Sequence, residues 1–165
     1  MKNLFYFLLP ASLLLLAIPV AGHAASSSPA PAPRLLSTLP LGGAGGWDYL
    51  SFDAPHRHLF VSRGDRVLVI DVDQHKQIGT IADTPGVHGI AIADDLQRGF
   101  TSNGKNASVT EFDLASFKTL ATISGTGENP EAIVDDQPSH LGLTFNGRSH
   151  TASVIDPVKG VVVAT

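Results

Sequence analysis

The sequence predicts an all-β chain: a β-propeller of four-stranded antiparallel blades, with about three blades present. Two markers predict it. An apolar residue followed by aspartate recurs at Ile70-Asp71, Phe112-Asp113 and Ile155-Asp156, with the aspartates 42 and 43 residues apart. A threonine closes a second apolar run at Thr38, Thr80, Thr122 and Thr165, with steps of 42, 42 and 43. Each period holds four short apolar runs and no stretch long enough for an amphipathic helix, and four strands in about 42 residues is the unit of a propeller.

The chain opens on an address signal. Lys2 precedes an apolar run, Leu4 to Val20, which is followed by the small residues Ala21, Gly22 and Ala24. This is the layout of a cleavable signal peptide over residues 1–24, cut after Ala24. The rival reading is a retained anchor, but the run falls short of the roughly 20 residues a spanning helix needs. Export to the periplasm or the outside follows, with no stable membrane anchor after cleavage. Residues 25–34 alternate Pro, Ala and Ser, the composition of an extended linker.

Composition removes several function classes. There is no cysteine, which excludes disulfide scaffolds, thiolate metal sites and cysteine nucleophiles. Eleven Lys and Arg stand against 15 Asp and Glu, a net charge of −4. Loss of Lys2 with the leader takes it to −5, which argues against nucleic acid as a partner. Motifs for a serine elbow, a phosphate-binding loop, a zinc-protease helix and a dinucleotide fold are all absent from the sequence.

Within the repeats, covering about 47–82, 88–124 and 131–165, the runs fall into four sets. The A runs are Tyr49–Phe52, Gly89–Ala93 and Ala132–Val134. The B runs are His58–Ser62, Arg98–Ser102 and Leu141–Phe145. The C runs are Arg66–Ile70, Ser108–Phe112 and Thr151–Ile155. The D runs are Gln77–Ile81, Thr119–Ile123 and Val161–Thr165, with a leading copy at Leu35–Leu39. All are rich in the β-branched and aromatic residues that suit a pleated, half-buried surface. Asn103-Gly104 and Asn146-Gly147 join B to C, a pair that supports the positive φ angles of tight hairpins. Asp71, Asp113 and Asp156 open the C-to-D turns, where a carboxylate can bond the backbone ahead of it.

These residues resemble the YVTN-repeat β-propellers. The strand that names the family reads here as Phe60-Val61-Ser62-Arg63, Phe100-Thr101-Ser102-Asn103 and Leu143-Thr144-Phe145-Asn146. The family's next signature is similar to Asp113 through Lys118 to Ile123, and to Asp156 through Lys159 to Thr165. The resemblance covers about 35–165 and implies a periplasmic, seven-bladed ring. Seven periods need about 300 residues. The sequence is therefore expected to be the N-terminal part of a longer protein. Its open flanks would need further blades or self-association to cover them.

Candidate chemistry lies where the A strands converge. Asp48, His88 and Glu131 open the three A runs, so they are expected to form an arc at one mouth of the channel. Two carboxylates and an imidazole can bind a divalent cation or move protons. Arg63, Asn103, Asn146, Arg148 and His150 sit at B-to-C turns and form an expected binding rim. His56 and His58 on the first A-to-B turn can chelate a metal, though His58, Arg98 and His140 read more simply as polar residues opening each B strand. The resulting expectation is a non-enzymatic scaffold that binds a small ligand or a protein. The alternative is a metal-dependent, lactonase-like hydrolase acting at the channel mouth, on fold analogy.

Overall fold

The computed structural model describes residues 32–165; the signal peptide and most of the linker lie outside them. Twelve strands form three four-stranded antiparallel sheets. The first sheet is β1 (Trp47–Asp53), β2 (His58–Arg63), β3 (Arg66–Asp71) and β4 (Lys76–Ile81). The second is β5 (Val87–Ala93), β6 (Arg98–Asn103), β7 (Ser108–Asp113) and β8 (Thr119–Ser124). The third is β9 (Pro130–Asp136), β10 (Leu141–Asn146), β11 (Thr151–Asp156) and β12 (Val161–Ala164). Each sheet runs in sequence order, so every strand pairs with the next. A single 3-10 turn, Asp94–Leu96, joins β5 to β6.

The sheets do not merge. They pack face to face, with β5 lying between β1 and β9. The three are blades of a partial β-propeller. Between blades 1 and 2, Phe60, Val67, Val69 and Ile81 meet Val87, Ile90, Phe112 and Leu114. Between blades 2 and 3, Ala91, Phe100, Val109 and Ile123 meet Ile133 and Ile155. Alternation along the strands creates this division: one set of side chains faces the preceding blade and the other the following one. Gly99 lies under the Phe112 ring, and a Cβ there would fall 2.1 Å from Phe112 Cζ.

Positions buried in the middle blade are uncovered at the ends. Val87 and Ile90 are 3% and 7% exposed, while Trp47 and Leu50, which hold the same places in blade 1, are 73% and 58% exposed. Ala91 is 7% exposed, and Val134 in blade 3 is 44%. On blade 1, Leu41 from the leading segment packs against Val61, Leu68 and Ile70 and covers part of that flank.

The aspartate marker is a turn device. Asp71 Oδ1 accepts the backbone N–H groups of Asp73 and Gln74 at 2.9 and 2.8 Å. Asp113 Oδ1 accepts from Ser116 N and Oγ at 2.7 and 2.6 Å, and Asp156 Oδ1 from Val158 N and Lys159 N at 3.1 and 2.9 Å. These bonds favour the ionised form and hold all three carboxyls below their ordinary range, for Asp156 chiefly through Lys159.

Three expectations change. Leu35–Leu39 forms no strand, because each described blade already has its own fourth strand and none is left to pair with this run. Gly104 and Gly147 do not supply the positive φ of their hairpins. Both loops run four residues, and the left-handed residues are Ala107 (φ 49°) and His150 (φ 54°). His140 does not open a B strand. It ends the preceding turn at φ 54°, as Arg57 and Gln97 do at 60° and 53°, and Leu141 opens β10.

Candidate functional site

The first strand of each blade begins with a bulge. Pairing slips between Trp47 and Leu50 on β1, between Val87 and Ile90 on β5, and at Glu131 on β9. The slips fall on Asp48, His88 and Glu131, and a bulge re-aims the side chain it carries. Antiparallel pairing puts these strand starts at the same end as the β2–β3, β6–β7 and β10–β11 turns. The connectors entering β5 and β9 are bonded to those turns: Gly104 N donates to Gly86 O at 2.9 Å and Gly147 N to Asn129 O at 2.9 Å. Gly86 N also donates to Gly64 O, at 2.8 Å, across the joint to blade 1.

At this mouth His88 Nδ1 lies 2.5 Å from Asp48 Oδ2, joining blades 1 and 2. An ionised carboxylate can only accept, so Nδ1 is the donor. Glu131 Oε1 accepts from Asn129 Nδ2 at 2.8 Å. The two pairs approach each other over Gly104: a Cβ there would lie 2.5 Å from Asn129 Oδ1 and 2.7 Å from His88 Nε2. Gly147 makes the same room for Glu131, whose Oε1 would lie 2.6 Å from its Cβ. The Asn-Gly glycines therefore serve close approach, which explains why neither takes a positive φ. Ser102 Oγ donates to the Glu131 carbonyl and accepts from Gly89 N at 2.9 Å, fixing the bulges of blades 2 and 3 to one another. Asp48, His88, Asn129 and Glu131 thus line one arc across three blades.

The expected binding rim is reduced to two residues. Asn103 and Asn146 are buried. Asn103 Nδ2 donates to Ser108 Oγ and Thr110 Oγ1 at 3.1 and 2.8 Å, and its Oδ1 accepts from Thr101 Oγ1 at 2.9 Å. Asn146 repeats this with Thr151, Ser153 and Thr144 at 3.1, 2.9 and 3.2 Å. Their place at the end of a B strand turns the amide inward, under the turn, and not toward solvent. Arg63, the blade 1 counterpart, reaches back to Leu41 O and Gly43 O at 3.4 and 2.8 Å and clamps the leading segment. Arg148 and His150 remain exposed on the third turn.

No protein-family model matches the chain, and no curated protein matches it by sequence. Its fold is shared. The chain resembles the solved structure of Kuenenia stuttgartiensis hydrazine synthase, with a TM-score of 0.68 at 18% identity, over 80% of this chain. It spans 38% of that chain's length. The likeness is one of β-propeller architecture.

The ligand atoms of Asp48, His88 and Glu131 do not gather within 4.8 Å of one another. Among the described residues, a set of three ligand atoms within 4.8 Å of one another occurs at Asp53, His56 and Asp94, at the far end of β1, and not in this arc. Asn129, Gly104 and Gly147 were not singled out as site residues from sequence. The signal that could have found Asn129 is its place two residues before Glu131.

Proposed function

We propose that this chain is an exported β-propeller module of the YVTN type that binds a ligand or protein partner at the mouth formed by its first strands. The observation that carries this is the arc of Asp48, His88, Asn129 and Glu131, seated on bulges and given room by Gly104 and Gly147. Two carboxylates dominate it, so it favours a partner that presents positive charge or hydrogen-bond donors. The Asn-ended B strands and the Asp-to-Lys turns support the YVTN assignment, and the leader pattern over 1–24 supports export. No side chain in the arc is set against a serine or a cysteine, and binding rather than catalysis is the reading it supports best.

The uncovered flanks carry a second part of the proposal. Trp47 and Leu50 on one side and Val134 on the other hold places that other blades bury, so the surface that fits them is another blade of the same repeat. That blade comes from further repeats of the same chain or from a second copy packed head to tail.

The test is a backbone amide NMR titration with a lysine-rich peptide as cationic probe and polyglutamate as counter-probe. The expected result is a shift confined to His88, Asn129 and Glu131 with the cationic probe, lost in the Asp48→Asn/Glu131→Gln variant. No shift, or equal response to polyglutamate, refutes the reading. Lactone hydrolysis by the purified chain, abolished by Glu131→Ala, would replace it with the hydrolase.

A further inference from the structure

We infer that a divalent transition-metal ion of the zinc class binds at the opposite end of the first strands, between Asp53, His56 and Asp94, and staples blade 1 to blade 2. Asp53 closes β1, six residues beyond Trp47, so this site lies about 20 Å along the strand from the mouth. His56 belongs to the turn that follows β1. Asp94 opens the 3-10 turn after β5, in the next blade. The three donors, two carboxylate oxygens and an imidazole nitrogen, lie within 4.8 Å of one another.

A cation fits the placement of the three side chains. The Asp53 side chain is 0% exposed. Among the described residues it has no Lys or Arg partner: its Oδ1 accepts from His56 N at 3.2 Å, and its Oδ2 lies 2.8 Å from His56 Nδ1. Asp94 has no cationic partner there either, its Oδ1 accepting from Gln97 Nε2 at 3.0 Å. An ion between Asp53 and Asp94 would take the place of the proton that His56 otherwise brings to Asp53. His56 stacks on His58, with ring centroids 5.9 Å apart. His58 Nδ1 is buried beside it with no hydrogen-bond partner, so the second imidazole does not neutralise the pair by donating to it.

The donor set selects the class of ion. One imidazole with two carboxylates and no sulfur suits zinc and its neighbours better than calcium, which prefers six to eight oxygens. In a tetrahedral site with bonds of roughly 2.1 Å, ligand atoms lie about 3.4 Å apart. Closing onto the ion from 4.8 Å therefore asks for a movement of up to about 1.4 Å from the turns that carry His56 and Asp94.

Calorimetric titration of the full chain with zinc chloride tests this. The expected result is one zinc ion per chain and a raised melting temperature. His56→Ala and Asp94→Ala, both at solvent-accessible turns, each weaken binding by at least about tenfold, the lower bound seen even for outer-shell partners. Asp48→Ala/Glu131→Ala leaves it unchanged. Absence of zinc binding overturns the inference. So does binding that survives both turn variants, or that is lost on changing the mouth residues. Circular dichroism of each variant confirms that it is folded, and Asp94→Asn, which keeps the size of the side chain, is the second variant should Asp94→Ala fail to fold.

Discussion

Replacing Asn103 with alanine removes three hydrogen bonds from a buried site: two donated to Ser108 and Thr110, and one accepted from Thr101. The two acceptor hydroxyls keep other partners. Ser108 Oγ still donates to Asn106 Oδ1 at 2.8 Å, and Thr110 Oγ1 to Asp83 O at 3.0 Å. Thr101 is left with a buried hydroxyl that has lost its acceptor. At about 1 kcal/mol net for each of the three lost bonds, with a further cost of about 1–2 kcal/mol for the stranded hydroxyl, the change destabilises by about 4–5 kcal/mol. That corresponds to a fall of roughly 16–20 °C in melting temperature, at about 4 °C per kcal/mol for a chain of this size. Urea unfolding followed by circular dichroism measures it, with a lowered midpoint at unchanged slope. Arg148→Ala, on an exposed turn, is the reference and is expected to cost no more than about 0.5 kcal/mol. If Asn103→Ala proves as mild as Arg148→Ala, the amide does not hold the blade. It would then belong on the binding rim where sequence reading placed it.

Gly104→Ala forces its methyl into the space of His88 Nε2 and Asn129 Oδ1. It is expected to cost about 1–3 kcal/mol and to shift the His88 ring resonances in NMR spectra; unchanged resonances would separate the glycine from the arc. Acid destabilises through the turn aspartates. Asp71, Asp113 and Asp156 are held below their ordinary value of 3.8 by turn hydrogen bonds. Their contribution is complete above that value and is lost as pH falls through the lower, folded-state range. Asparagine at these three positions should flatten the acid limb of a urea-midpoint profile. Asp135 has the opposite sign, because burial raises its pKa and penalises its charged form at neutral pH. Asp135→Asn should therefore raise the urea midpoint near pH 7, by an amount that shrinks toward acid. In sedimentation velocity the wild-type chain should self-associate, and Leu50→Asp/Val134→Asp should sediment as a monomer. A wild type that is monomeric at high micromolar concentration removes the head-to-tail proposal.

The repeat was legible because each blade solves the same local problems with the same residues. Apolar runs of five, an aspartate that closes its own turn, and glycine-rich connectors act within a few residues of themselves, and a linear reading sees them. What it misread were contacts made across strands or across blades. Gly104 reads as a hairpin glycine, but its reason for lacking a Cβ is His88, on another strand, and Asn129, in another blade. Asn103 reads as a turn residue, but its partners Ser108 and Thr110 lie on the next strand. A comparison among the repeats could have exposed this one. Asn103 and Asn146 come with Thr101 and Thr110, and with Thr144 and Ser153. Blade 1 has Arg63 in place of the amide, with Val61 and Leu68 where the hydroxyls stand. Amide and hydroxyls are exchanged for apolar packing as a set, which is the pattern of a buried network and not of a solvent-facing rim. No such internal signal exists for Asp53, His56 and Asp94. Ala93 and Leu96 hold the places of Asp53 and His56 in blade 2, so the cluster breaks the repeat instead of following it. A departure from the period at one joint, joining a buried acid and its neighbouring imidazole to one residue about 40 positions away, is what a site belonging to that joint alone would produce. Packing of the blades does not require it.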